Sequence, residues 1–153
     1  MKKWVVTLIS VALLCSSPVA LAADEAKISV AVNHSGDDNI GQKLAFALRE
    51  TVRASNGYQL VSGPSAIIRV SLVTLDPERS AQSRGAWTVA SVVITMRNFN
   101  PFKDGEPQTW YPIYLTSSVV TSGTYKVEET AKSILASVDS AVEEYRADAR
   151  RKQ

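Results

Sequence analysis

The stretch 36–43 (GDDNIGQK) resembles a phosphate-binding loop, because two glycines separated by four residues lie between a strand pattern and a helix pattern. Such a loop needs Lys directly after its second glycine and Ser or Thr next, whereas Gln42 and Lys43 occupy those places. Moving the lysine by one residue turns it about 100° around a helix, and Asp37 and Asp38 would repel a phosphate. The stretch therefore predicts a capped strand-to-helix turn and no nucleotide site.

Histidine and cysteine chemistry is restricted by composition. His34 is the only histidine, and the only cysteine, Cys15, lies in the amino-terminal segment described below. A histidine-rich metal site or a nucleophile-histidine pair would have to be built on His34 alone. Beside Asp37 and Asp38, His34 is either a weak divalent-ion ligand or a solvated loop side chain, and we favour the second. We expect a protein that is not an enzyme and has no metal and no cofactor.

Two pairs of carboxylates could support glycoside hydrolysis, which uses two acidic side chains. Asp76 and Glu78 form one pair, and Asp104 and Glu106 form the other; each pair flanks or adjoins a proline in a polar loop. A small hydrolase that uses these loop carboxylates remains a hypothesis. Turn formation explains the same residue types without catalysis, and we favour it.

Aromatic residues are concentrated in and beside one connector, residues 98–111 (NFNPFKDGEPQTWY). Exposed aromatic side chains are common anchors of protein interfaces, because they bury a large area at a small cost in rotamer entropy. The sequence predicts a partner-binding site formed by Phe99, Phe102, Trp110 and Tyr111. The alternative is that Phe99 and Phe102 fold back over the sheet edge as a lid. If the aromatic residues form a lid, the hairpin 76–85 becomes the next candidate interface.

Two amphipathic helices should position these residues. The first is predicted to begin at Asp37 or Asp38 and to end at Asn56 and Gly57, with Gly57 as a left-handed cap. Its apolar stripe consists of Ile40, Leu44, Ala47, Leu48 and Val52. The second helix is predicted near the carboxyl end, with one apolar face made of Val127, Ala131, Ile134, Val138, Ala141, Val142, Tyr145 and Ala149.

Strand patterns cover residues 28–32, 58–61, 67–75, 86–97 and 109–121. In the last strand, alternation predicts one buried face made of Tyr111, Ile113, Leu115 and Val119. Polar connectors between the last three strands predict antiparallel hairpins. The order β-α-β-β-β-β-α then predicts an α+β fold, a two-layer sandwich with a mostly antiparallel sheet and two helices on one face.

The amino terminus has the pattern of a bacterial secretory signal. Residues 1–23 (MKKWVVTLISVALLCSSPVALAA) combine two lysines, an apolar run and small residues before Ala22. The uninterrupted apolar run is about half as long as a membrane-spanning helix requires. We predict a cleaved signal peptide at 1–22, a single domain at 23–149 and a frayed basic tail at 150–153. Leu14 precedes Cys15, which disfavours a lipidated cysteine.

Charge excludes some partners. The chain has 17 basic and 15 acidic side chains, and loss of Lys2 and Lys3 with the signal leaves these numbers equal. A neutral domain has no electrostatic reason to bind nucleic acid or an anionic membrane surface. We therefore expect a periplasmic or secreted protein whose partner is another envelope or secreted protein, with no nucleic acid and no stable membrane span after cleavage.

The stretch 27–61 (KISVAVNHSGDDNIGQKLAFALRETVRASNGYQLV), followed by three strands and a helix, resembles two kinds of small envelope domain. One is the lipopolysaccharide-assembly lipoprotein family, whose members plug an outer-membrane barrel. The other is the amino-terminal domain of the Tol system's propeller protein. The chain differs from the first in lacking a lipidation cysteine at the predicted cleavage site. The resemblance implies an α+β domain and a role in envelope assembly.

Three functional hypotheses follow. The first is an exported, non-catalytic binding or envelope-assembly module that acts through protein-protein contacts. The second is a secreted inhibitor or effector of another protein. The third is the small hydrolase described above. We favour the first, since it combines an exported protein, a scarcity of catalytic residue types and an aromatic connector.

Export makes the first testable prediction. Replacing Ala20 and Ala22 with leucine should leave full-length precursor in the cell, because the cleaving peptidase needs small residues at these places. Intact-mass measurement of the wild type should give a chain that begins at Ala23, or at Asp24 if cleavage follows Ala23 instead. A full-length mass for the exported wild type, or a diacylglycerol adduct on Cys15, would contradict the prediction.

Overall fold

The computed structural model describes residues 27–78, 85–100 and 109–152, with only the backbone described at Phe99, Asn100 and Thr109. The predicted α+β fold and its order β-α-β-β-β-β-α are confirmed. The elements are β1 (Ile28–Ser35), α1 (Asn39–Ala54), β2 (Tyr58–Leu60), β3 (Ile68–Leu75), β4 (Trp87–Asn100), β5 (Thr109–Gly123) and α2 (Val127–Arg151).

The strands form one open sheet in the order β2-β1-β3-β4-β5. The strand β1 is parallel to both β2 and β3, with α1 forming the crossover between β1 and β2. The strands β3, β4 and β5 are antiparallel neighbours, as predicted from their polar connectors. Most of the paired residues are therefore antiparallel, and the two edges of the sheet are β2, with three residues, and β5, with 15.

The core lies between one face of the sheet and both helices. Alternate residues of the three central strands point toward the helices and are buried. The largest buried side chains come from both layers: Val30, Ile68, Val70, Leu72, Val92 and Ile94 from the sheet, and Ile40, Leu44, Leu48, Val52, Ile134 and Val138 from the helices. We call this buried face the inner face of the sheet, and the opposite one the outer face.

A second contact joins the short strand β2 to the terminal helix. The Tyr58 hydroxyl donates a hydrogen bond to Asp139 Oδ1 at 2.5 Å. Burial, together with this hydrogen bond and the negative charge of Asp139, raises the pKa of Tyr58 well above its usual value. Tyr58 therefore remains a neutral donor throughout the physiological pH range and ties α2 to an edge strand that has only three residues.

One helix boundary differs from the prediction. The helix α1 ends at Ala54, and its C-cap is Ser55 in an extended conformation, with the Ser55 N–H bonded to the Val52 carbonyl. Gly57 does not have a positive φ, so the predicted left-handed glycine cap was wrong. An extended Ser55 turns the chain directly toward β2, which leaves no need for a left-handed residue.

The predicted buried face of β5 was also wrong. Val119 is 72% exposed and Tyr111 is 40% exposed. Tyr111 is exposed because it lies opposite Asn98, beyond the last pair of β3 and β4. Val119 is exposed because of a β-bulge: Ile94 pairs with Thr116 and Thr95 pairs with Tyr114, so Leu115 is an extra residue on β5. An extra residue reverses the alternation of side chains along the strand. Odd-numbered residues before Leu115 therefore point to one face of the sheet, and odd-numbered residues after it point to the opposite face.

Candidate functional site

The structure places the predicted aromatic anchors in different surroundings. The strands β4 and β5 extend further than expected, so that Phe99 pairs with Trp110 through the backbone and the connector shortens to residues 101–108. Phe102 lies outside the described residues, as does the side chain of Phe99, so the lid remains an untested prediction. Trp110 and Tyr111 are described, and both are exposed.

The anchors lie on a two-stranded ribbon. Met96 is the last residue of β4 that pairs with β3, opposite Ile68, whereas β4 continues to pair with β5 as far as Asn100. Side chains of the ribbon alternate between the faces. Tyr111 lies opposite Asn98, whose side-chain amide donates a hydrogen bond to the Tyr111 hydroxyl at 3.1 Å. Trp110, the preceding residue, points to the outer face.

On the outer face, Trp110 contacts a cation. The guanidinium carbon of Arg97 lies 4.4 Å from the centroid of the Trp110 ring, which is the geometry of a cation–π contact. The backbone N–H of Arg97 also donates a hydrogen bond to the carbonyl of Ile67, which directly precedes β3, at 2.7 Å. A cleft of about 240 Å³ begins here and is lined by Arg69, Arg97 and Trp110, among others.

The rest of the outer face is open within the described part of the chain. Large apolar side chains are exposed along it: Ile67 46%, Val73 58%, Leu75 57%, Trp110 51%, Tyr114 65% and Val119 72%. Both helices pack on the inner face, so no described element covers these residues. Contiguous exposed apolar side chains of this kind are typical of interaction surfaces.

The strand β5 forms the long open edge. One side of β5 pairs with β4, and no described strand pairs with the opposite side. Its 15 residues (TWYPIYLTSSVVTSG) include no charged side chain and one proline, Pro112. Natural sheets usually protect an exposed edge with charges, prolines or bulges. From Thr116 to Gly123, after the bulge at Leu115, the edge of β5 has none of these.

The loop that resembles a phosphate-binding site has a structural role. Asp38 is the N-cap of α1, and its Oδ1 accepts a hydrogen bond from the Gly41 amide at 2.5 Å. This carboxylate occupies the position beside the helix amides where a phosphate would bind. Asp38 Oδ2 is also buried, and no described donor forms a hydrogen bond of standard geometry to it. The predicted capped turn is thus present, with Asp38 as the cap.

Both glycines of this loop pack on Thr74 of β3. A Cβ atom at Gly36 or at Gly41 would lie within 3 Å of the Thr74 side chain, and at Gly41 also of Asp38. Gly36 has in addition a φ of 145°. The two glycines therefore allow the start of α1 to contact β3 closely, which explains their spacing without a ligand.

His34 belongs to the same polar cluster. Its Nε2 lies 2.8 Å from the Thr74 hydroxyl oxygen, and the side chain is partly buried, which contradicts the expected solvated loop side chain. Burial lowers the pKa of His34, the Arg49 charge acts in the same direction, and the Asp38 carboxylate opposes them. For Asp38, burial favours the neutral acid, but the Thr74 hydroxyl, the Gly41 amide and the Thr88 hydroxyl favour the carboxylate, and the pKa is lowered overall.

The first carboxylate pair also has a structural explanation. Asp76 is buried, and its two oxygens accept hydrogen bonds from the backbone amides of Glu78 at 2.9 Å and Gly85 at 2.8 Å. It therefore closes a turn, as expected. Asp104 and Glu106 lie outside the described residues. In the described part, no group of three His, Cys, Asp or Glu side chains could hold a metal ion.

Sequence reasoning missed two features. One is Thr74, a polar residue at a buried strand position, for which the only sequence signal was its place in the alternation of Ile68, Val70 and Leu72. The other is the pair Arg69 and Arg97, which a correct register between β3 and β4 would have placed together.

Neither of the helices in the described ranges is long and apolar enough to cross a membrane.

Comparisons with known proteins identify no family. No protein-family model and no curated protein matches the chain. Among solved structures, the chain is similar to the hypothetical protein CT253 from Chlamydia trachomatis, with 11% sequence identity over 63% of this chain and 72% of that chain. The TM-score is 0.33, and this likeness carries no argument about function.

The glycine packing makes a prediction about stability. Gly41→Ala should lower the free energy of unfolding by about 2 kcal/mol or more, because Thr74 and Asp38 are buried and cannot move away from the added methyl group. Gly57→Ala is the matched control, since no atom lies within 4 Å of its Cβ position and its φ is not positive. We expect that change to alter stability by less than about 1 kcal/mol. Urea denaturation of both variants measures the difference, and equal midpoints would show that the start of α1 is not packed on Thr74 as described.

His34 makes a prediction about pH. Its pKa in the fold lies below the reference value of 6.5, so the unfolded chain takes up the proton first as pH falls. Stability should therefore be highest above about pH 6.5 and should decline as pH falls toward the lower pKa of the folded state. Since His34 is the only histidine, His34→Gln should flatten the free energy of unfolding between about pH 5 and 7. A slope that persists in this variant would exclude His34 as its source.

Proposed function

We propose that this chain is an exported, non-catalytic module of the bacterial envelope that binds another protein, in the periplasm or after secretion. The occupant of its binding surface is an extended segment of the partner, which adds to the sheet at β5. The observation that carries this proposal is the open edge of β5, 15 residues long and free of charged side chains. The signal-like amino terminus and the resemblance to envelope-assembly domains support the compartment.

The backbone of β5 supplies the main attraction. In a strand whose one side is paired with β4, every second residue directs its N–H and C=O groups away from the sheet. An added strand satisfies these groups, as in known cases of β-strand addition. A charged edge would hinder such pairing, and β5 has no charge along its whole length.

Side chains beside the edge supply selectivity. Trp110, Tyr114 and Val119 are exposed on the outer face of β5, before and after the bulge. An added strand places alternate side chains next to them. A partner segment with apolar residues at alternate positions would therefore bury apolar surface on both sides of the new pair of strands. This arrangement retains Trp110 from the predicted interface and adds Tyr114 and Val119.

A charge on the edge provides the test. Val119→Lys places a charge beside the open side of β5, whereas Val73→Lys places the same charge on the outer face of the central strand β3, where the exposed fraction of valine is similar. The mature chain, immobilised, would be exposed to envelope extract, and retained proteins would be quantified by mass spectrometry. We expect the partner's affinity to fall about tenfold or more with Val119→Lys and to be unchanged with Val73→Lys.

Hydrogen exchange locates the contact. In the complex, alternate backbone amides among residues 116–123 should gain protection, since only their N–H groups point away from β4 and enter the added pair of strands. Equal loss with both lysine variants, or protection confined to other elements, would contradict strand addition. Protection of these amides in the isolated protein that rises with concentration would identify a second copy of the chain as the occupant and would overturn the proposal.

A further inference from the structure

Arg69 and Arg97 lie side by side on the outer face of the sheet. Arg69 of β3 is paired with Thr95 of β4, and Arg97 follows two residues later on the same face of β4. Such diagonal neighbours have Cβ atoms about 7 Å apart. Both side chains are partly buried, and both line the cleft that begins at Trp110. The two arginines therefore line the same small cleft.

Neither arginine is neutralised within the described part of the chain. The described ion pairs involve Arg53, Arg146 and Arg151, each with a carboxylate three residues earlier on a helix. Like charges at diagonal positions of a sheet repel each other, and partial burial reduces the screening of this repulsion by water. An anion placed between the two guanidinium groups would remove the repulsion and gain charge-assisted hydrogen bonds.

The contact with Trp110 orients one of the two cations. A guanidinium that stacks on a ring uses its flat face, whereas its N–H donors lie in its plane and remain available. The ring 4.4 Å from the guanidinium carbon of Arg97 thus restricts the rotation of this side chain, which lines the cleft. Less rotamer entropy is then lost when a ligand binds.

The remaining wall of the cleft is largely apolar. Apart from the two arginines and Thr95, the lining includes Pro64, Ile67 and Pro112. A free phosphate ion would leave these surfaces unused, whereas a carboxylate attached to an aromatic or aliphatic body would cover them. We propose that this cleft binds a carboxylate that is carried on an apolar body, with Arg69 and Arg97 as the two donors and Trp110 as the wall.

This inference goes beyond strand addition at β5 and does not require it. The carboxylate could belong to a small molecule or to the carboxyl end of a peptide, and both present the same chemistry to the arginines. The probe is N-acetylphenylalanine, which has one carboxylate and one ring. N-acetylphenylalanine amide is the neutral matched probe, and inorganic phosphate is the anion without an apolar body.

Nuclear magnetic resonance provides the readout, because the Nε–Hε signals of Arg69 and Arg97 and the indole N–H signal of Trp110 report on the cleft directly. We expect N-acetylphenylalanine to shift these three signals in a saturable way. The amide and phosphate should bind at least about tenfold more weakly, because the first lacks the charge-assisted hydrogen bonds and the second lacks the apolar contact. Phosphate binding as strong as that of the carboxylate, or no saturable shift with any probe, would overturn the proposal.

Substitutions complete the test. Arg69→Gln and Arg97→Gln should each weaken N-acetylphenylalanine about tenfold. Arg146→Gln is the charge-matched control, since this arginine lies on α2 in an ion pair with Glu143, and it should bind as the wild type does. Val119→Lys should also retain the site, which separates failure of this proposal from failure of strand addition. Equal weakening by Arg69→Gln, Arg97→Gln and Arg146→Gln would show a general charge effect and would contradict a built site.

Discussion

Burial of a single face of the sheet is the constraint on which the rest of the structure depends. Both helices pack on the inner face, and their apolar stripes meet the alternate residues of β1, β3 and β4 there. A two-layer sandwich of this kind has one core and leaves the second face of its sheet without a covering layer. The exposed valines, the arginine pair and Trp110 are all consequences of this one-sided packing. The side chains that we propose for binding thus lie on the face that neither helix covers.

The polar cluster at the start of α1 determines how the helix meets the sheet. Thr74 occupies an inner-face position where an apolar residue would otherwise pack, and it contacts Gly36, Gly41 and His34 instead. The start of α1 lies so close to β3 that a side chain on either glycine would collide with Thr74. Residue types that suggest catalysis or phosphate binding are used here to join a helix to a strand. Their hydrogen bonds to one another and to the start of α1 explain why these residue types occur at this position.

Sequence reasoning succeeded where a pattern depended on local geometry and failed where it depended on pairing. The alternation of Ile68, Val70 and Leu72 identified the inner face of β3, since every second residue of a regular strand shares a face. The same rule failed on β5, because the bulge at Leu115 reverses the alternation and its cause is the register with β4. The convergence of Arg69 and Arg97 was equally invisible, as these residues are far apart in the chain and meet only through strand pairing.

Differences in strand length explain why the cleft at Trp110 lies at one end of the sheet. The strand β3 has eight residues, whereas β4 and β5 have 14 and 15, so the last four pairs of β4 and β5 extend past their neighbour. Beyond that point no described strand pairs with the other side of β4, and the described side chains of Trp110 and Tyr111 are exposed. Ile67, which directly precedes β3, and Arg69, near the start of β3, lie where the full sheet becomes a ribbon. A step between a sheet and a ribbon creates a concave corner, and the cleft lined by Arg69, Arg97 and Trp110 occupies it. Residues at this corner can contact a ligand without disturbing the core, because both helices pack on the opposite face of the sheet.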